Sequence, residues 1–296
     1  MLNRILMKTS IALALTLTAA IVIATVSAKE EPPMNTPCRF THESGRVIPC
    51  GEASIYVEET GHPDGPALIL LHGGFGTMED FNPILPALGR HFRLIGIDSR
   101  GHGKSTLGDA ALSYATLAAD LAQVIAALEL REYSLLGFSD GGIAAYRHAI
   151  RRDPRLQKIV AVGASWEMGE SDPAWEMLSG MTGDAWKEMF PDSVAAYQRL
   201  NPQPDYDRFA AAVISMWSDL SPDGYPGQRM SDVSIPMLAV RGDNDFLTHL
   251  GSFARLKSLN PGIAFLNIPQ TEHVAFEEAP EIFLAALGRF FGISLP

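Results

Sequence analysis

The residues best suited to chemistry are a serine, a histidine and two aspartates set far apart along the chain. Gly137-Phe138-Ser139-Asp140-Gly141-Gly142 closes an apolar run and opens a helical pattern. A strand that turns so sharply into a helix leaves no room two residues either side of its Ser. Gly137 and Gly141 meet that demand. Ser139 is then held on a strained turn with its hydroxyl exposed. A Ser hydroxyl is a weak nucleophile near neutral pH and needs a general base. Of eight histidines, His273 falls in a loop between the last strand pattern and the last helix pattern. That is the carboxyl edge of a parallel sheet, the edge that also carries Ser139. The base needs a carboxylate to fix its tautomer and stabilise its cation. Arg241-Gly242-Asp243-Asn244-Asp245 follows the preceding strand pattern and offers two, Asp243 and Asp245. The chemistry implied is acyl transfer through a Ser nucleophile.

The elements that must position these residues are legible as patterns. Continuous apolar runs at 67–71, 92–97, 134–138, 159–162, 237–240 and 264–268 read as strands of a parallel sheet, buried on both faces. Residues 46–48, 49–52 and 53–58 read as strand, turn and strand, a hairpin. Stretch 117–130 has helical apolar spacing at Leu117, Leu121, Val124, Ile125 and Leu128, and 141–150, 253–259 and 282–291 are the other helices. The alternation predicts an α/β fold: a mostly parallel sheet of about eight strands flanked by helices on both faces. Residues 164–234 interrupt it. They hold every Trp of the chain (Trp166, Trp175, Trp186, Trp217) and several Met, and prolines divide them into short helices. This segment is expected to be a helical cap, or lid, whose adaptable apolar face lines an acyl pocket. The core is then 45–163 together with 235–296. Trp166 and Asp140 are the candidate substrate contacts.

With these motifs in place, residues 44–292 resemble the α/β-hydrolase superfamily in its serine esterase branch. His72-Gly73-Gly74-Phe75-Gly76 resembles its oxyanion loop, and Asp98-Ser99-Arg100-Gly101-His102-Gly103-Lys104-Ser105 matches its D-x-R-G-x-G-x-S loop. The resemblance implies a triad of Ser139, Asp245 and His273, selecting Asp245 over Asp243. It also implies an oxyanion hole of backbone N–H groups, one from Asp140 and one from Gly74 or Phe75. His72 and His102 read as shaping their loops. The expected function is cleavage of a small carboxylic ester, lactone or thioester through an acyl-enzyme, with no cofactor and no metal. The elbow is also similar to that of valacyclovir hydrolase, in which the Asp after the nucleophile helps recognise an amino group. An aminoacyl-ester hydrolase or peptidase using Asp140 is therefore the alternative. A non-catalytic ligand-binding member of the fold is a third reading, opposed by the intact Ser, Asp and His.

Composition limits the partners. The chain has 296 residues, 47% of them hydrophobic and 19% charged, enough apolar material for a full core. The net charge is −11 with no basic cluster, so no nucleic-acid partner is expected, and anionic lipid surfaces are disfavoured. Residues 1–28 read as an export signal: Arg4 and Lys8, then an apolar stretch, then Val26-Ser27-Ala28 as a cleavage signal. A periplasmic or secreted enzyme is the expectation, without stable membrane association once the signal is cut. An uncleaved membrane anchor is the alternative. Residues 29–44 read as an extended arm. In an oxidising compartment Cys38 and Cys50 are expected to form a disulfide, worth about 3 kcal/mol by chain entropy. Neither a dinucleotide fingerprint nor a P-loop survives inspection: Glu79 stands where the third Gly of the first belongs, and Asp98 where the first Gly of the second belongs.

Overall fold

The strand patterns become one eight-stranded sheet in the order β1-β2-β4-β3-β5-β6-β7-β8. The computed structural model describes residues 38–296, so residues 1–28, expected to be an export signal, and most of the expected arm lie outside the described residues. The strands are β1 (Arg46–Cys50), β2 (Ala53–Gly61), β3 (Ala67–Leu71), β4 (Arg93–Ile97), β5 (Tyr133–Phe138), β6 (Leu156–Val162), β7 (Met237–Gly242) and β8 (Ala264–Ile268). β1, β2 and β4 pair antiparallel, and every other pairing is parallel. The helices are α1 (Leu85–Leu88), α2 (Tyr114–Ala127), α3 (Asp140–Ala149), α4 (Pro173–Ser179), α5 (Gly183–Met189), α6 (Pro191–Leu200), α7 (Tyr206–Trp217), α8 (Leu250–Leu259), α9 (Ala275–Glu278) and α10 (Pro280–Phe291). Helix ends move from their expected positions where side chains cap them. α2 starts at Tyr114 because the Ser113 hydroxyl accepts the Thr116 N–H. The first hairpin is tighter than expected. Pro49 and Cys50 stay in β1, and only Gly51 and Glu52 turn. β1 is an edge strand, where the missing N–H of Pro49 costs nothing.

Alternation along the central strands feeds two cores, one on each face. Ala67, Ile69 and Leu71 point to one, Leu68 and Leu70 to the other. This division overturns the expected disulfide. Cys50 belongs to the first core and Cys38 to the second, and both are free thiols. Cys50 Sγ lies 3.9 Å from the Asp120 carbonyl, while Cys38 Sγ accepts from the Thr60 hydroxyl at 3.8 Å. The sheet stands between them. Burial, with Asp120 nearby, pushes the Cys50 thiol up to about 11, far from a reactive thiolate.

Helices α4 to α7 lie between β6 and β7. Side-chain caps from Asp172, Thr182 and Asp205 start α4, α5 and α7, and Pro191 opens α6 immediately after α5. α7 buries Tyr206, Phe209, Ala210, Val213, Met216 and Trp217, one face at helical spacing. Among the described residues no helix is long and apolar enough to cross a membrane.

Candidate active site

The parallel register brings the carboxyl ends of β3, β5, β6, β7 and β8 to one edge, and the site is built from the loops that leave it. β5 ends at Phe138. Ser139 follows with φ 49° and ψ −118°, a conformation that costs a non-glycine residue about 1–3 kcal/mol. Its N–H donates to the Val162 carbonyl at 2.8 Å and fixes the turn to β6. The glycine requirement is steric. A Cβ at Gly137 would lie 2.5 Å from the Gly141 carbonyl oxygen, and one at Gly141 would collide with the Leu71 carbonyl.

His273 reaches this serine from the loop between β8 and α9. Its Nε2 is 3.0 Å from Ser139 Oγ, and its Nδ1 is 3.0 and 3.1 Å from the two oxygens of Asp245. A carboxylate can only accept, so Nδ1 carries the proton and Nε2 is left to accept from the serine. The imidazole rests on Gly163, where a Cβ would lie 2.9 Å from its Cε1. Asp245 is buried. Burial alone would raise its pKa, but His273, the Thr248 hydroxyl and the Leu247 N–H outweigh that and hold it below the usual carboxylate range. Asp243 faces away, accepting from Asn267 Nδ2 at 2.8 Å. Arg241, a residue given no role from sequence, fixes this loop. Its buried guanidinium donates to the carbonyls of Thr248 at 2.9 Å and Asp243 at 3.1 Å and to Asn267 Oδ1 at 2.6 Å.

Two of the expected site residues stand elsewhere. The Phe75 N–H donates to His102 Nε2 at 3.1 Å, so it is not available to an oxyanion. Its ring is turned into the cap, stacked 4.4 Å from Trp186. Gly74 remains, in the cavity wall beside Ser139, together with the N–H of Asp140, which opens α3 with no helix carbonyl behind it. Trp166 is not in the cavity. It is buried in the core with Nε1 donating to the Ser252 carbonyl at 3.0 Å, while Trp186 and Trp217 line the cavity instead. The Asp140 side chain is neither solvated nor open to an amine. It is buried, with Oδ1 accepting from Tyr114 Oη at 2.7 Å and Oδ2 from Trp217 Nε1 at 2.8 Å. Tyr114 and Trp217 had no local sequence signal, since they lie 26 and 77 positions from Asp140.

His72 and His102 are neutral loop braces. His72 Nε2 accepts the Ser99 N–H, and burial lowers its pKa to about 3; burial lowers that of His102 to about 4. Arg100 makes a buried bidentate pair with Asp120 at 2.6 and 2.7 Å, and Asn201 of the cap donates to the carbonyls of Gly101, Gly103 and Ser105. The cavity in front of Ser139 is about 430 Å³. Met168, Met177, Met181, Met189, Trp186 and Trp217 close it from the cap side. Among the described residues no group of His, Cys, Asp and Glu is arranged to hold a metal ion.

Comparison with known proteins places this architecture. A family model described as the alpha/beta hydrolase family matches residues 68–286. The chain is 24% identical over 269 residues to 2-(acetamidomethylene)succinate hydrolase of Mesorhizobium japonicum, covering 84% of this chain and 95% of that protein. It is 26% identical over 272 residues to pimeloyl-[acyl-carrier protein] methyl ester esterase of Nitrosospira multiformis, covering 81% and 99%. Among solved structures, carboxylesterase CesB of Bacillus subtilis shares the fold with a TM-score of 0.64 at 22% identity, covering 84% of this chain and 91% of that one. The chain belongs to the alpha/beta hydrolase family.

Proposed function

We propose that this protein is a serine hydrolase of small, uncharged carboxylic esters. The observation that carries the reading is the chain of contacts from Asp245 through His273 to Ser139, opening on an apolar cavity beside two N–H groups. Ser139 Oγ attacks the acyl carbon and gives its proton to His273 Nε2. The N–H groups of Gly74 and Asp140 take the negative charge that grows on the carbonyl oxygen. His273 then protonates the leaving alcohol, and water, activated by the same imidazole, releases the acid from the acyl-enzyme.

The cavity walls support the substrate class. Apolar and aromatic side chains dominate, and among the described residues no Lys or Arg lines it. Glu272 and Glu278 border it beside His273. A dicarboxylate such as the succinate named for the Mesorhizobium relative would meet no cation here and would face like charge. Both oxygens of Asp140 are already engaged, which favours neutral esters over aminoacyl esters. The pattern in residues 1–28 extends the proposal to an exported enzyme. The test is a panel of p-nitrophenyl esters of graded acyl length, with hemiesters of dicarboxylic acids, run beside labelling by a fluorophosphonate. Labelling at Ser139 with fastest turnover on neutral short or medium chains is expected. An unlabelled, inactive protein overturns the reading.

A further inference from the structure

The buried carboxylate of Asp140 has no step in the reaction above, yet it sits between the elbow and the cap. We propose that Trp217 and Tyr114 are positioning residues that set the oxyanion hole through Asp140, so that the cap helix α7 governs rate as well as access. The inference rests on the hydrolase reading.

Three contacts converge. First, Trp217 ends α7, and its Nε1 reaches across to Asp140 Oδ2 at 2.8 Å, while Tyr114, at the start of α2, holds Oδ1 at 2.7 Å. The carboxylate belongs to the residue whose N–H must meet the oxyanion. Its orientation therefore fixes that of the first turn of α3. Second, the same two groups press on the other side of the hole. A Cβ at Gly74 would lie 2.6 Å from Asp140 Oδ2 and 2.7 Å from Trp217 Cζ2, so carboxylate and indole bound the Gly74 backbone directly. Third, Phe75, next in that loop and held at φ 58°, puts its ring into a nest of cap aromatics. Trp186 stacks on it at 4.4 Å, and Phe209 and Trp217 meet it edge-on at 5.2 and 5.5 Å. The cap residue Ser193 also donates its hydroxyl to the Phe75 carbonyl at 3.3 Å. Both donors of the hole are thus bounded by α7 or by its neighbours.

A carboxylate is costly at such a place. It is desolvated, and when ionised it opposes the charge that grows on the substrate oxygen. Among the described residues, the side-chain donors that touch it are a phenol and an indole, one on each oxygen. Such a group carries geometry: two directional hydrogen bonds to two different elements, which an apolar side chain cannot supply. A displacement of an ångström at a reacting centre costs about a hundredfold in rate, so loosening this clasp is expected to act on kcat.

The test compares Trp217→Phe, Tyr114→Phe, Asp140→Ala and Asp140→Asn with the wild type on a neutral short-chain ester. A trifluoromethyl ketone is added as a second readout. Ser139 Oγ adds to its carbonyl carbon, the C=O π pair becomes an oxyanion in the hole, and the proton passes to His273. Trp217→Phe keeps the ring and loses only the N–H. Its kcat is expected to fall roughly ten- to a hundredfold with KM little changed, and its inhibition constant for the ketone to rise in step. Asp140→Asn, which keeps one acceptor and the shape, is expected to recover most of what Asp140→Ala loses. The pair Trp217→Phe with Asp140→Ala is expected to be no worse than Asp140→Ala alone. A rise in KM at unchanged kcat, or losses that simply multiply, would show Trp217 to be cavity wall and overturn the proposal. If a variant unfolds by circular dichroism, Tyr114→Phe and Asp140→Asn decide by the same criteria. A wild type that neither turns over esters nor takes a fluorophosphonate rejects the hydrolase reading itself, a different outcome.

Discussion

The end of β5 and the helices of the cap face the same cavity, and they hold their residues there by different means. At the elbow, position comes from backbone. Ser139 sits at a positive φ, glycines flank it because no Cβ fits, and every residue of β5 is buried. In the cap, position comes from side chains. α5 buries none of its residues completely, and the cavity wall above Ser139 is largely methionine and tryptophan. Methionine is unbranched and adapts to what it touches, whereas a strained elbow in a close-packed sheet does not. Under the proposed function, the contrast assigns the reacting atoms to the rigid half and the fit of the acyl chain to the deformable half. The two halves meet at the hydrogen bond between Asp140 and Trp217.

The largest expected effect lies wholly in the rigid half. Ser139→Ala is expected to lower ester turnover by roughly 10⁴-fold or more, with the thermal midpoint nearly unchanged. A folded variant with normal turnover would move the chemistry off the elbow and end the comparison. Asp245→Asn is expected to come next, at about 10⁴-fold in kcat, because the wrong tautomer of His273 would face the serine. Asp243→Asn, whose carboxylate meets Asn267 at the surface, is expected to leave kcat within about twofold, as surface substitutions do. Steady-state rates of the two variants side by side decide it.

The deformable half is expected to respond in selectivity. Met181→Ala and Trp186→Ala open the cavity wall and should shift the acyl-length optimum to longer chains by about tenfold in relative kcat/KM. Trp166→Phe is the internal control. It loses the hydrogen bond to the Ser252 carbonyl, worth about 1 kcal/mol, but it touches no part of the cavity, so the acyl profile should not move. A shifted profile in Trp166→Phe, or a flat one in Met181→Ala, would erase the division between the two halves.

The same division explains what was legible in the sequence. Runs such as Ala67–Leu71 and the glycines of the elbow are local patterns, and they located the sheet, its carboxyl edge and the loops carrying Ser139 and His273. Contacts between distant segments leave no local pattern. Trp217 and Trp166 look alike in sequence, and only packing decides that one meets Asp140 and the other Ser252. The Cys38–Cys50 bridge failed for a related reason. Spacing of 12 positions says nothing about which face of the sheet each thiol joins. Phe75 was an oxyanion candidate by motif, but its N–H was spoken for by His102, 27 residues away.

The smallest effect tests how far the rigid half extends beyond the site. His42 lies at φ 61° in the segment before β1, with Nδ1 at 2.6 Å from Glu79 and Nε2 at 2.8 Å from Asp98. Its ring also stacks on Tyr56, and Lys104 Nζ donates to its carbonyl. Asp98 in turn accepts the N–H groups of Met78 and Lys104, so this histidine ties the arm to the loops that hold His102 and Phe75. Both ring nitrogens face carboxylates, an arrangement in which the doubly protonated imidazolium donates to each. Burial by itself would lower the pKa, but Asp98 and Glu79 outweigh it and raise it above the ordinary value. A pKa raised on folding means that the folded state holds the proton more tightly than the unfolded chain does. The stabilisation is therefore complete below the unfolded value of about 6.5 and is lost as pH rises through the folded value above it. His42→Asn tolerates the positive φ and cannot titrate. The gap in thermal midpoint between wild type and His42→Asn should be widest at pH 5 to 6 and narrow as the solution becomes alkaline. A gap that grows with pH would mean that folding lowers the pKa of His42 and expels its proton, so that the imidazole is buried neutral.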